Sequence, residues 1–130
     1  MTPSENISIT YISKKGRLPR LPFLAMKDKI LGKKYELSIV VATPALSKKL
    51  NNQFRDKNYP TNILSFPLTE NSGEIILELE KIKKDAPEFD LSNTKFTQLL
   101  LIHGMLHLKG MEHSSTMEAQ ESKWMKYFSV

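Results

Sequence analysis

Apolar and polar positions change period several times along this chain, and each change marks an element. Ile7-Ser-Ile-Thr-Tyr-Ile12 alternates and predicts a half-buried strand. Phe23, Leu24, Met26, Ile30 and Leu31 recur at helical spacing, so a short helix is expected over 23–31, ending near Gly32. Tyr35-Glu-Leu-Ser-Ile-Val-Val-Ala42 is rich in β-branched residues and almost continuously apolar at its end, the pattern of a well-covered strand. Thr43-Pro44 reads as N-cap and first helical residue of a helix to about Phe54, with Leu46 and Leu50 inward and Lys48 and Lys49 outward. Residues 55–62 are polar and loop-like. A short strand is expected over 63–68, where Pro67 cannot donate to a ladder and so suits an edge. Asn71-Ser-Gly73 signals a turn into a strand over 74–79. A short helix over 80–85 is then stopped by Pro87, with 88–93 as loop. Asn93 or Thr94 caps a long helix, and Ser115 or Thr116 caps a last one, amphipathic through Met117, Trp124, Met125 and Phe128. Strands mixed with helices over 1–130 predict a single α+β domain, a small sheet of about four strands covered by helices. Whether those strands run parallel or antiparallel is not set by the pattern.

Composition narrows the class. The 40% apolar and 25% charged fractions are those of an ordinary globular protein. Cysteine is absent, which excludes disulfides and thiolate metal sites and permits a cytoplasmic setting. No apolar run reaches the roughly 20 residues of a membrane span, and Met1 to Asn6 lack the basic start and apolar run of a secretory signal. The net charge of +5 is uneven: residues 1–65 hold 12 Lys and Arg against 4 Asp and Glu, residues 66–130 hold 7 against 10. A basic surface of that kind attracts a polyanion, nucleic acid first, although a solvated lysine-rich face gives the same count. Lys14, Lys15, Arg17 and Arg20 form a run that fits either description.

The chemistry gathers in residues 103–113. All three histidines of the chain lie there, spaced H-x3-H-x5-H, with Gly110 between the second and third. His103 and His107 are four apart at the end of the apolar run of Phe96 and Leu99 to Ile102, so a helix stacks them on one face. Gly110 can take the left-handed conformation that ends a helix and turns His113 back toward them. Three neutral imidazoles meeting at one point make a metal site with an open position, at the end of a central helix. Zinc suits such a set, and nickel, cobalt or copper would also bind. The spacing equals that of the metzincin peptidases, H-E-x-x-H-x-x-G-x-x-H, except that Gly104 stands where those enzymes carry their general base. That exception argues against peptide hydrolysis.

The same stretch resembles the YbeY family of bacterial rRNA maturation factors. His103-Gly104-Met-Leu106-His107-Leu108-Lys-Gly110-Met-Glu-His113 is similar to its H-G-x-L-H-L-x-G-Y-D-H signature, with Met111 and Glu112 replacing tyrosine and aspartate. Leu50-Asn51-Asn-Gln-Phe54-Arg55, Pro60-Thr61-Asn62-Ile-Leu64-Ser65-Phe66-Pro67 and Gly73-Glu74-Ile75-Ile76 look like its L-N-x-x-Y-R, P-T-D-V-L-S-F-P and G-D-I-V/I segments. The likeness covers roughly residues 35 to 121; the part before 35 is less family-like. It implies a small mixed sheet and a metal-dependent endoribonuclease acting on single-stranded RNA, in 16S rRNA 3′-end processing and ribosome quality control. The implied partner is the small ribosomal subunit, with neither DNA nor a membrane involved. It also implies one zinc ion per chain on His103, His107 and His113, His103 counting as catalytic too, with Arg55 as a functional arginine.

On that footing the metal serves as Lewis acid and source of a hydroxide nucleophile, while the planar fork of Arg55 holds the phosphate. An ion pair with Asp56 is the plainer account of Arg55. Glu112 is the nearest candidate base, or else a residue orienting a histidine; Glu74 is more in keeping with a structural role. The RNA 2′-hydroxyl could instead be the nucleophile. Phe66 and Trp124 are aromatic candidates for base stacking, with core packing favoured for both. The competing function is a ribosome-associated assembly factor whose metal is structural.

Overall fold

The computed structural model describes residues 6–129; Met1 to Glu5, where no secretory signal is read, and Val130 lie outside the described residues. In chain order the elements are β1 (Ile7–Tyr11), α1 (Phe23–Ile30), β2 (Glu36–Val41), α2 (Pro44–Arg55), β3 (Ile63–Thr69), β4 (Ser72–Leu77), α3 (Leu79–Asp85), α4 (Asn93–Leu108) and α5 (Ser115–Tyr127). The four strands form one mixed sheet in the order β1-β2-β4-β3. β1 runs parallel to β2, and β2 to β4, because a helix-bearing crossover separates each pair in sequence. β3 and β4 form a hairpin and pair antiparallel, with a register shift between Pro67 and Thr69. The architecture is α+β.

Strand alternation assigns the two faces. Leu37, Ile39 and Val41 of β2 and Ile75 and Leu77 of β4 point to one side, where α4 lays Phe96, Leu101, Ile102 and Met105 against the sheet. Met26 and Ile30 of α1, with Met117, Trp124 and Phe128 along α5, belong to the same core. The other side is a smaller cluster of Ala42, Leu64 and Ile76, half covered by Leu46 and Leu50 of α2. No helix among the described residues is long and apolar enough to cross a membrane.

Several boundaries differ from the expected ones. Ser92 caps α4, its hydroxyl accepting from the Lys95 N–H, rather than Asn93 or Thr94. Ser114 caps α5 in the same way, accepting from Met117, rather than Ser115 or Thr116. Each helix is preceded by three residues able to cap, and the first of the three is used, which lets the helix begin earlier. At Ser92 this also puts Leu91 just before the cap and Phe96 at the fourth helical position, the spacing of a hydrophobic staple. α3 ends at Asp85 ahead of Pro87, as expected, but Ala86–Phe89 then form a single 3-10 turn where loop is expected from 88; a proline in its first turn lacks only a donor that would be unpaired anyway. The last strand is shifted two residues earlier than expected, because Glu78 leaves the sheet to cap α3 through both carboxylate oxygens. Lys27, on the buried side of α1, is fully enclosed; its ammonium donates to the carbonyls of Gly32 and Lys33 and pairs with Asp28 at 2.8 Å. Its charge is thereby satisfied.

Candidate metal centre

α4 carries His103 and His107 on one side, and its end is built so that the third histidine returns. Gly110 has φ 103°, its N–H donates to His107 O at 2.9 Å, and the Met111 N–H donates to Leu106 O at 3.0 Å. That pair of bonds is the Schellman closure of a helix. The ring centroids of His103, His107 and His113 then stand 4.5, 4.8 and 4.8 Å apart, nearly an equilateral triangle.

Hydrogen bonds fix the tautomers of the first two rings. The same closure brings the Met111 carbonyl to 3.0 Å from His107 Nδ1, and a carbonyl only accepts, so Nδ1 carries the hydrogen. The Glu121 carboxylate of α5 lies 2.5 Å from His103 Nδ1 and likewise accepts. Each ring therefore turns its Nε2 toward the other, and these two atoms are 3.0 Å apart. Two nitrogens about 2.0–2.1 Å from one tetrahedral ion are about 3.3 Å from each other, close to the separation seen. The donor atoms of all three histidines lie within 4.8 Å of one another, and the set could hold a metal ion. Burial pushes the His107 imidazole below its ordinary pKa, with His103, His113 and Arg55 acting in the same direction against the Met111 carbonyl. That keeps the ring in its neutral, ligating form.

Glu121 was not foreseen from the sequence. It lies on the line Met117, Glu121, Trp124, Phe128, the inward stripe of α5, and a carboxylate inside an apolar stripe was the available signal. Glu112, the expected candidate, is exposed and makes no hydrogen bond to a histidine among the described residues. Glu74 points to the opposite face of the sheet, away from the histidines. Arg55 ends α2, exposed, and no ion pair among the described residues holds it. Its neighbour Asp56 is left-handed at φ 58° and closes the helix through its own N–H. Lys14, Lys15, Arg17 and Arg20 are exposed, with the Arg17 guanidinium 5.2 Å from the Tyr11 ring centroid. Trp124 is buried in the core; Phe66 is only half-buried.

Gly104 does not face the histidines at all. A Cβ there would meet the Ile63 and Ile75 side chains of the sheet at 3.1 Å, so α4 approaches β3 and β4 closely here. The residue is glycine for packing.

The sequence profile of the family described as Endoribonuclease YbeY matches residues 18–128. The chain belongs to the YbeY family. The match begins well before residue 35, so Arg20 and α1 lie inside the YbeY pattern, while Lys14, Lys15 and Arg17 precede it. Among relatives named Endoribonuclease YbeY, that of Gluconobacter oxydans is 42% identical over 86 residues, 65% of this chain and 51% of the relative. That of Chromobacterium violaceum is 35% identical over 96 residues, 68% of this chain and 57% of the relative. That of Borrelia turicatae is 37% identical over 100 residues, 71% of this chain and 68% of the relative. The aligned part thus spans about half to two thirds of these YbeY relatives. The solution structure of TM1509 from Thermotoga maritima is similar with a TM-score of 0.63 at 28% identity, covering 92% of this chain and 87% of that one.

Proposed function

We propose that residues 1–130 act as one metal-dependent endoribonuclease domain on single-stranded RNA, with His103, His107 and His113 as ligands of a single zinc ion. The observation that carries this reading is the convergence of three imidazoles whose donor atoms lie within 4.8 Å of one another. The relatives' shared name, Endoribonuclease YbeY, supplies the reaction class. When bound, the ion supplies Lewis acidity and a lowered pKa for water. The chain's own residues do the rest. Glu121 holds the His103 ring by its Nδ1–H, and the Met111 carbonyl does so for His107, so neither ring can rotate its lone pair away. Arg55, with no carboxylate partner among the described residues, receives a phosphodiester with two parallel N–H bonds and offsets the charge that builds on its oxygens. The cellular substrate in this reading is 16S rRNA near its 3′ end, on the small ribosomal subunit in the cytoplasm.

A second reading, an assembly factor with a structural metal, is favoured by one observation: the carboxylate nearest the histidines, Glu121, is committed to His103 and is not free to serve as a base. Structural zinc sites, however, normally close with a fourth protein ligand, and three histidines form the set found here among the described residues. Metal content and cleavage of single-stranded RNA by the wild type, His107→Ala and Arg55→Glu separate the readings. Cleavage is expected to fall by at least about 10³-fold in His107→Ala together with its metal, and by about 10²-fold in Arg55→Glu with metal retained. Cleavage that survives loss of the metal overturns the proposal. Ends carrying 5′-phosphate or cyclic phosphate identify the nucleophile.

A further inference from the structure

α2 covers only part of the second face of the sheet. Beside it lies a groove of about 540 Å³, with Phe54, Phe66, Leu68 and Ile12 in its apolar lining. Three of these are large and open to solvent: Leu68 is 63% exposed, Phe54 57% and Ile12 48%. Phe54 meets Phe66 edge to face, with centroids 4.9 Å apart. Exposed lysines stand near the lining residues along the chain. Lys49 lies three residues on from Leu46 along the open side of α2, and Lys14 and Lys15 follow Ile12 at the far end, all exposed. Glu74 is the acidic residue in the lining.

An aromatic floor with a lysine rim matches the chemistry of a single-stranded nucleic acid, whose bases stack while its phosphates stay at the edge. A carboxylate on the floor keeps phosphates off it and leaves room for base edges. Phe54, in the lining of this groove, immediately precedes Arg55 on α2. We propose that Phe54 and Phe66 form a base-stacking subsite for single-stranded RNA, seating nucleotides that flank the phosphate held at the histidines. This deepens the endoribonuclease reading and rests on it. A strand crossing the edge of the sheet at β3 passes from the histidines by way of Arg55 to the rings.

The test measures binding of a fluorescent strand of about ten nucleotides, 2′-O-methylated and phosphorothioate-linked to resist cleavage, to the full metal-loaded chain. A second strand has the same backbone but no bases. Phe54→Ala is expected to weaken the intact strand about tenfold and leave the base-free strand unchanged, while Phe54→Trp restores wild-type binding. The slope of affinity against salt should not change in Phe54→Ala, since no phosphate contact is lost. Equal binding of the intact strand by Phe54→Ala and wild type overturns the subsite. So does an equal loss on both strands. Wild-type protein that holds intact and base-free strands equally well also overturns it, and leaves the groove to a protein partner. A wild type that binds neither strand at low salt overturns the endoribonuclease reading itself.

Discussion

Leu37, Ile39, Val41, Ile75 and Leu77 turn one face of the sheet toward α4, and none is more than 2% exposed. The opposite face mixes Ser38, Val40 and Glu74 with apolar residues, and α2 leaves half of it open. The same two central strands serve both. On the covered side, packing fixes α4 and, through α5, the carboxylate that orients His103, so the geometry of the histidines is inherited from the core. On the open side, apolar residues are spent on a surface that contributes little to folding. The difference teaches that stability and ligand geometry share one face, while recognition is left to the other.

The sharpest way to break that comparison is Gly104→Glu, which restores the letters of the peptidase motif. A side chain there must push α4 off Ile63 and Ile75 and bury a carboxylate, so a loss of about 3 kcal/mol or more is expected in urea unfolding, with no peptidase activity gained. A variant as stable as wild type would mean that α4 does not press on the sheet at this point. Leu101→Ala on the covered side should cost about 2–5 kcal/mol, against under about 1 kcal/mol for Leu68→Ala on the open side. Equal costs would erase the distinction. Glu121→Ala should weaken zinc binding about 10- to 100-fold in competition with a coloured chelator. Glu121→Gln should lose less, because its amide oxygen still accepts from His103.

The smallest effect is on pH dependence. In metal-free protein the folded His107 takes up its proton below the ordinary value of 6.5, at which the unfolded chain takes it. The unfolded state therefore binds more protons in that window, and stability falls as pH drops below 6.5 until the folded ring is also protonated. His107→Gln should flatten this part of the profile. An unaltered profile would place the titration elsewhere.

Much of this was legible in the sequence because it is local. Period-2 and period-3.6 patterns placed the strands and helices, Thr43-Pro44 marked the start of α2, and Gly110 marked the turn that returns His113. The strand order was not legible, since β1, β2 and β4 pair across crossovers that no short window contains. The caps slipped because Ser92-Asn93-Thr94 and Ser114-Ser115-Thr116 each offer three equivalent hydroxyl or amide acceptors. Glu121 escaped because it reaches His103 from another helix, 18 residues away in the chain. Gly104 was read for the chemistry it lacks, whereas its role is set by Ile63 and Ile75, more than one element distant.

Pro67 bears on how this chain behaves at high concentration. β3 is an edge strand, and a second molecule could add its own strand there if a straight row of donors were on offer. The proline withholds one donor, and the register shift between Pro67 and Thr69 breaks the row. At the other edge, the chain after β1 stays close to the sheet, with Ile12 and Ser13 donating to Val41 O of β2 and the Leu18 N–H donating to the Tyr11 hydroxyl. The β3 border is thus a poor template for strand addition, and it is the border next to the half-open face.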